Sequence, residues 1–248
     1  MKASAWRDFC AAREQFRILT DTLQKRIPEL RLIEQKLVEN RIGPAYRVET
    51  PVVYNEALDE IDPSSKIKLI LVADNPGRRE QAAENRRYLV GPSGKIAGRF
   101  FRENPALGID YKKNVLILNK TPIHTPRTAE LKELCLLGGA ELKAVLAQSQ
   151  REMAELLFKF HHAFAPLPVW IIGYSEMKKG GVFETYTDTL KDLYRKFRRR
   201  REELFFYRHF SMNQFTIDLS RQRLDGEGTT EALNRIGAAY RERVLSLD

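Results

Sequence analysis

The residues best equipped for chemistry in this chain stand directly behind short apolar runs. Asp74-Asn75-Pro76-Gly77 follows the run 67–73, and Asn119-Lys120-Thr121-Pro122 closes the run 115–118. Gly173-Tyr174-Ser175 follows 169–172, and Arg208-His209-Phe210-Ser211 closes 204–207. A carboxylate, two amides and an imidazole therefore recur at one place relative to successive runs. An acid or an amide can hold a water, an amide both donates and accepts at the edge of a polar ring, and an imidazole can donate to a developing negative charge. Asp-Asn-Pro-Gly also has the composition of an ordinary turn, and a single histidine is more often packed or solvated than catalytic. The shared placement is what favours function for Asn75, Asn119 and His209. His161 and His162 fall within a helical stretch and read as packing residues. His124, in a loop beside Thr121 and Thr125, stays open between the two readings.

The elements that must position these residues follow from the hydrophobic period. The four apolar runs have strand length, and helical stretches separate them at about 93–102, 128–163 and 184–201. Short apolar strands alternating with helices predict a parallel sheet covered on both faces. In such a sheet, ligands bind outside the carboxyl ends of the strands, where the polar clusters lie. Residues 1–40 carry Trp6, Phe9, Phe16, Leu30, Ile33 and Leu37 at helical spacing, divided at Pro28. Gly43, Pro44, Pro51 and Pro63 mark 43–65 as an irregular connector, and Leu233, Ile236, Tyr240 and Val244 mark a closing helix that starts near Thr229. The expected architecture is a three-layer α/β/α fold with a central, mostly parallel four-stranded sheet. A helical N-terminal extension (1–45) precedes the α/β domain (46–248).

The 248 residues suit one such domain with an extension, and 43% hydrophobic with 30% charged residues is ordinary for a soluble globular chain. The formal net charge of +9 favours polyanionic partners, nucleic acid first. Cys10 and Cys135 are far apart and lack neighbouring metal ligands, so neither a disulfide framework nor a metal site is expected. The longest apolar runs are too short to cross a bilayer, and the first eight residues lack the apolar core of a signal peptide. A cytoplasmic monomer without membrane contact is the expectation.

At the polar clusters the chain resembles the uracil-DNA glycosylase superfamily. Ala73-Asp74-Asn75-Pro76-Gly77 looks like the first motif, Gly-x-Asn-Pro-Gly, of the mismatch-specific and single-strand-selective branches. Val53-Tyr54-Asn55 is similar to the Val-Tyr-Asn that precedes that motif in the single-strand-selective branch. Tyr88-Leu89-Val90-Gly91-Pro92-Ser93-Gly94 is similar to the Phe-Val-Gly-x-x-Gly stretch of the thermophilic iron–sulfur branch. Asn119 falls where a strand-terminal asparagine reads the base, and His209-Phe210-Ser211 resembles the second motif, His-Pro-Ser. The resemblance spans roughly residues 50–245. Ala73 stands for the usual glycine and Phe210 for the proline, and the four cluster cysteines are absent, so no iron–sulfur cluster is expected.

The resemblance implies a monofunctional DNA glycosylase of base excision repair, a hydrolase that flips uracil or a related damaged base out of DNA and needs no cofactor. Asn119 would read the base, with Tyr88 or Leu89 as its stacking floor. His209 would stabilise the leaving base. A water would be held by Asn75, as in the amide-using branches, with Asp74, where the acid of the iron–sulfur branch falls, as its rival. Gly91, Ser93 and Gly94 at a helix start would seat a phosphate, although Gly91–Gly94 also reads as a tight turn with Ser93 as helix cap. Ser211 is a further phosphate ligand, and Arg78, Arg79, Arg86 and Arg87 flank the first motif. Met212 or Phe215 would fill the gap left by the flipped base. The run Arg198–Arg201 lies at the opposite rim and reads as a charged helix end. The second reading is a non-catalytic nucleic-acid-binding member of the same fold. A different α/β hydrolase or nucleotide enzyme is disfavoured, because neither Gly-x-x-x-x-Gly-Lys-Ser/Thr nor Gly-x-Ser-x-Gly occurs near a strand end.

Overall fold

The computed structural model describes residues 1–43 and 45–246, so Pro44 of the predicted connector lies outside the described residues. Four strands, β1 (Leu69–Ala73), β2 (Val115–Asn119), β3 (Val169–Ile172) and β4 (Leu204–Tyr207), pair in the order β2-β1-β3-β4 with every pairing parallel. Side-chain alternation decides the layers. On β1, Ile70 and Val72 enter one core, while Leu69, Leu71 and Ala73 enter the other. All residues of β1 and β3 are buried. Strands covered on both faces have no polar side to show, which is why they read as unbroken apolar runs.

In chain order the helices are α1 (Ala3–Arg26), α2 (Leu30–Ile42), α3 (Pro92–Glu103), α4 (Glu130–Phe164), α5 (Glu184–Tyr194), α6 (Arg198–Glu202), α7 (Gln214–Gln222) and α8 (Thr229–Val244). Helices α1, α2, α4 and α5 feed the first core, and α3 and α7 the second. Helix α8 runs beside β4, with the Tyr207 hydroxyl donating to the Leu233 carbonyl at 3.0 Å. The N-terminal helices are not a separate body. Phe9, Ala12, Phe16, Leu19 and Leu23 form the buried stripe of α1. Phe9 lies 5.7 Å from Phe160 and 5.5 Å from Phe164 of α4. The same continuous core contains Ile70, Leu118 and Ile171. Residue 45 therefore separates element types rather than cores.

Three features differ from the sequence reading. The stretch 184–201 is two helices, because the chain leaves helical geometry at Phe197 (φ −120°, ψ 66°). Helix α4 is kinked at Gly139, whose φ of 68° suits glycine. The segment behind His209, which carries the two gap-filling candidates, opens into α7, with Phe215 in its first turn. No helix among the described residues is long and apolar enough to cross a membrane.

The topology defines where a ligand belongs. The chain leaves β1 for β2 on one side and β3 for β4 on the other, so the strand order reverses between β1 and β3, the place where an open parallel sheet takes its ligand at the strands' carboxyl ends. The edge at β4 depends on close approach of α8. A Cβ on Gly237 would stand 2.6 Å from the Tyr207 hydroxyl and 2.7 Å from the Phe205 Cβ. Gly237→Ala is expected to lower stability by about 1–3 kcal/mol as α8 is pushed off the sheet. Urea denaturation measures it, and an unchanged midpoint would contradict this packing.

Candidate active site

Register brings the polar clusters onto one rim. Ala73 pairs with Asn119 across β1–β2, and Ile172 pairs with Tyr207 across β3–β4. Asp74, Lys120, Gly173 and His209 thus follow neighbouring strand ends. The backbone N–H of Lys120 donates to the carbonyls of Ala73 and Asp74 at 3.0 Å each, locking the ends of β1 and β2 together.

The centre of the rim is an ion pair that the sequence reading missed. Lys120 is fully buried, and its Nζ donates to Asp74 Oδ1 at 2.5 Å and to the Ile172 carbonyl at 2.6 Å. It also lies 4.9 Å from the centre of the Phe183 ring. Asp74 Oδ2 accepts from the Thr128 hydroxyl at 3.2 Å. Gly173 makes room for this carboxylate. Its φ is +81°, and a Cβ there would stand 2.3 Å from Asp74 Oδ1. The sequence signal was a glycine directly behind a strand, opposite an acid in the same position behind its neighbour.

Asn119 is 1% exposed, and both polar atoms of its amide are buried without a hydrogen-bond partner. Leaving such groups unmade costs about 1–3 kcal/mol each. His209 is half-buried. Its Nδ1 accepts the backbone N–H of Ser211 at 3.0 Å. The lone pair is thereby placed on Nδ1, and the neutral ring carries its proton on Nε2 as a donor. Burial pushes this imidazole below its ordinary range; Asp74 pulls the other way, and Lys120 adds to the fall.

The loop behind His209 keeps the geometry that a proline would impose. Phe210 sits at φ −68°, within the range of a proline ring. Its side chain is fully buried, stacked on Phe215 at 4.3 Å and near Phe100 at 6.1 Å. Phe215 is therefore a core residue and not a wedge. Met212 remains a wedge candidate: it is 79% exposed and held at φ 51°. Asn213 follows at φ 60°. Two successive non-glycine residues in the left-handed region are strained, a feature that concentrates at ligand-contacting loops.

Asn75 is anchored by its amide nitrogen. Nδ2 donates to Thr125 Oγ1 at 2.9 Å and lies 3.3 Å from the Thr125 carbonyl. This turns Oδ1 away from the 123–125 loop, as an acceptor. His124 supports the same loop from beneath. Its Nδ1 donates to the Pro76 carbonyl at 2.7 Å, so its Nε2 accepts from the Tyr46 hydroxyl at 2.8 Å. His124 is thus a buried structural residue, as are His161, bonded to Tyr194 and Glu203, and the second core's Trp170. His162 is exposed.

Other predicted residues lie elsewhere. Tyr88 is not a stacking floor. Its ring is buried near Phe16 (6.3 Å), and its hydroxyl donates to the Val53 carbonyl at 2.6 Å. Leu89 is buried in the second core at φ 52°. Gly94 serves that turn, because a Cβ would fall 1.4 Å from the Leu89 carbonyl oxygen. The acidic group at this helix start is the protein's own. Glu80 accepts from the Gly77 N–H at 2.9 Å; burial pushes its carboxyl up to about 7, against the amides of Gly77, Leu89 and Gly91. Gly91 and Gly94 are therefore structural, whereas Ser93 is partly exposed and Ser211 exposed. Arg86 and Arg87 pair with Glu56 and Glu60. Arg78 and Arg79 are exposed, Arg78 lying over the Tyr46 ring at 5.0 Å. Of the arginine run, Arg198 pairs with Glu202 and Arg200 with Glu203.

A cavity of about 1480 Å³ lies away from the rim. It is a groove along the free edge of β2, bordered by Tyr88, Leu89, Gly94 and Tyr111, and it contains none of Asp74, Asn119, Lys120 or His209. The chemistry of the rim outweighs the size of the groove here, because the groove collects no catalytic constellation. Among the described residues no group of three or more His, Cys, Asp or Glu could hold a metal ion.

The His124 anchor has a pH signature. Burial pushes its imidazole down from 6.5 to about 4. The unfolded chain takes up this proton near 6.5, while the folded chain resists until about 4. The stability that His124 contributes is thus present above about 6.5 and lost as pH falls towards 4. Denaturant midpoints across this range should fall less steeply in His124→Gln than in the native chain; parallel curves would contradict the assignment.

Compared with known proteins, the chain matches no family model and no curated protein.

Proposed function

We propose that this protein is a DNA glycosylase of the uracil-DNA glycosylase type, acting at the rim formed by Asp74, Asn75, Asn119 and His209. The observation that carries the reading is the buried, unpartnered amide of Asn119 on the same rim as an imidazole whose tautomer is set for donation. A flipped pyrimidine offers an amide the matching pair: a ring N–H for Oδ1 and a carbonyl for Nδ2.

Cleavage of the bond between the base nitrogen and C1′ leaves its electron pair on the base and a cationic sugar. The Nε2–H of His209 donates to the base carbonyl as negative charge develops there, without proton transfer. Such a preorganised donor contributes about 3–4 kcal/mol. The Asp74 carboxylate stabilises the sugar cation at short range. The Oδ1 of Asn75, left free by the anchoring of its amide nitrogen, orients the water that adds to C1′ and sheds a proton to solvent. Thr128 and Lys120 hold both oxygens of Asp74, which favours Asn75 over Asp74 for the water. Met212 enters the stack where the base has left. Ser93, Ser211, Arg78 and Arg79 meet phosphates, consistent with the net charge of +9. On this reading no cofactor takes part.

Uracil-containing single- and double-stranded oligonucleotides, treated with protein and then with alkali, should break at the uracil. His209→Ala is expected to lose about 100- to 1000-fold in rate. Asn119→Ala loses two hydrogen bonds of about 1 kcal/mol each, or about 30-fold. Base removal should also fall on the acid side, because a proton on Nδ1 of His209 displaces the Ser211 N–H and frees the ring. Tight DNA binding with no breaks, on uracil or other deaminated bases, would favour a non-catalytic binding protein instead.

A further inference from the structure

The mechanism above leaves the buried ammonium of Lys120 without a chemical task. Placing an ammonium in a protein interior is costly unless its N–H groups are satisfied and a counter-charge is close. Lys120 has both, through Asp74 Oδ1 and the Ile172 carbonyl, with the Phe183 ring on a further side. Packing alone would not need it, since methionine fills nearly the same volume without an ion to desolvate. Some property of the charge is being used.

The neighbourhood of His209 indicates which property. The charged side chains that share its rim are Asp74, directly behind β1, and Lys120, directly behind β2, the first favouring and the second opposing a proton on its ring. Glu176, behind β3, acts on Lys120. On its own element, Arg208 is turned to Asp218 at 3.4 Å. A lone carboxylate on this rim would favour a proton on the imidazole. A proton on Nδ1 would break the bond from the Ser211 N–H that orients the ring.

We propose that Lys120 is a positioning residue: its ammonium fixes the Asp74 carboxylate against the end of β3 and opposes that carboxylate's pull on the imidazole of His209. The rim can then keep an anion for the sugar cation and a neutral donor for the base side by side. The catalytic half of this inference rests on the glycosylase reading; the electrostatic half does not.

The test is the titration of His209 by NMR in the full chain, assigned with His209→Gln, in the native protein, Asp74→Asn, Lys120→Met and the double variant. Asp74→Asn removes the carboxylate's pull, so His209 should titrate lower; Lys120→Met leaves that pull unopposed, so it should titrate higher. The double variant should return near the native value, and it carries no unpaired buried charge. If Lys120→Met does not fold, Asp74→Asn against the double variant still gives the comparison. His209 titrating alike in all folded forms would overturn the proposal. Base release supplies the second readout: the acid limb of its pH profile should move upward in Lys120→Met by the same amount as the NMR titration. A merely structural lysine would lower the rate at every pH and leave the limb in place. If the native protein releases no base while the NMR order holds, the glycosylase reading fails and the electrostatic role stands.

Discussion

A single buried ion pair organises the functional end of this molecule. Lys120 ties the end of β2 to Asp74 behind β1 and to the last carbonyl of β3. Gly173 exists as glycine because the carboxylate lies where its Cβ would be. Thr128, just before α4, closes the other carboxylate oxygen. Strand ends that would otherwise be independent loops are thereby held in one geometry. Buried ion pairs add little net stability compared with apolar packing. This one sits where the strand order reverses, which places its value in position and charge rather than in folding energy.

A second constraint comes from the aromatic core under the His209 loop. Phe210, Phe215, Phe100 and Trp170 pack against one face of the sheet, with Phe210 and Phe215 stacked. Phe210 takes the backbone angle of a proline while anchoring the loop through its ring. A buried ring and a constrained pyrrolidine are two physical routes to the same short turn, and the turn presents the Ser211 N–H to the imidazole. Strain is passed outward to Met212 and Asn213, the exposed tip of the loop.

Much of this was legible in the sequence. Strands buried on both faces announce themselves as apolar runs, and polar residues behind each run locate the rim. Asn119 and His209 follow from that rule alone. What the sequence concealed depends on contacts between distant segments. A lysine is by default a surface residue, and only the fold reveals that Lys120 meets Asp74, 46 positions away. Tyr88 and Leu89 are adjacent yet enter different cores. Glu80 occupies amides that a helix start would otherwise offer to a phosphate. The burial of Phe215 was hidden because a loop and the first turn of a short helix share the same composition.

On the proposed reading, the rim receives a flipped base and releases it: the orphaned amide would read the base, the imidazole would stabilise its departure and the carboxylate on the same rim would face the sugar cation. The most direct measurement is the chemical identity of the product. A uracil-containing oligonucleotide incubated with the protein should yield free uracil in step with intact-backbone abasic DNA, both detected by mass spectrometry. Oligonucleotide that stays whole at excess protein, or strands broken without free base, would contradict it.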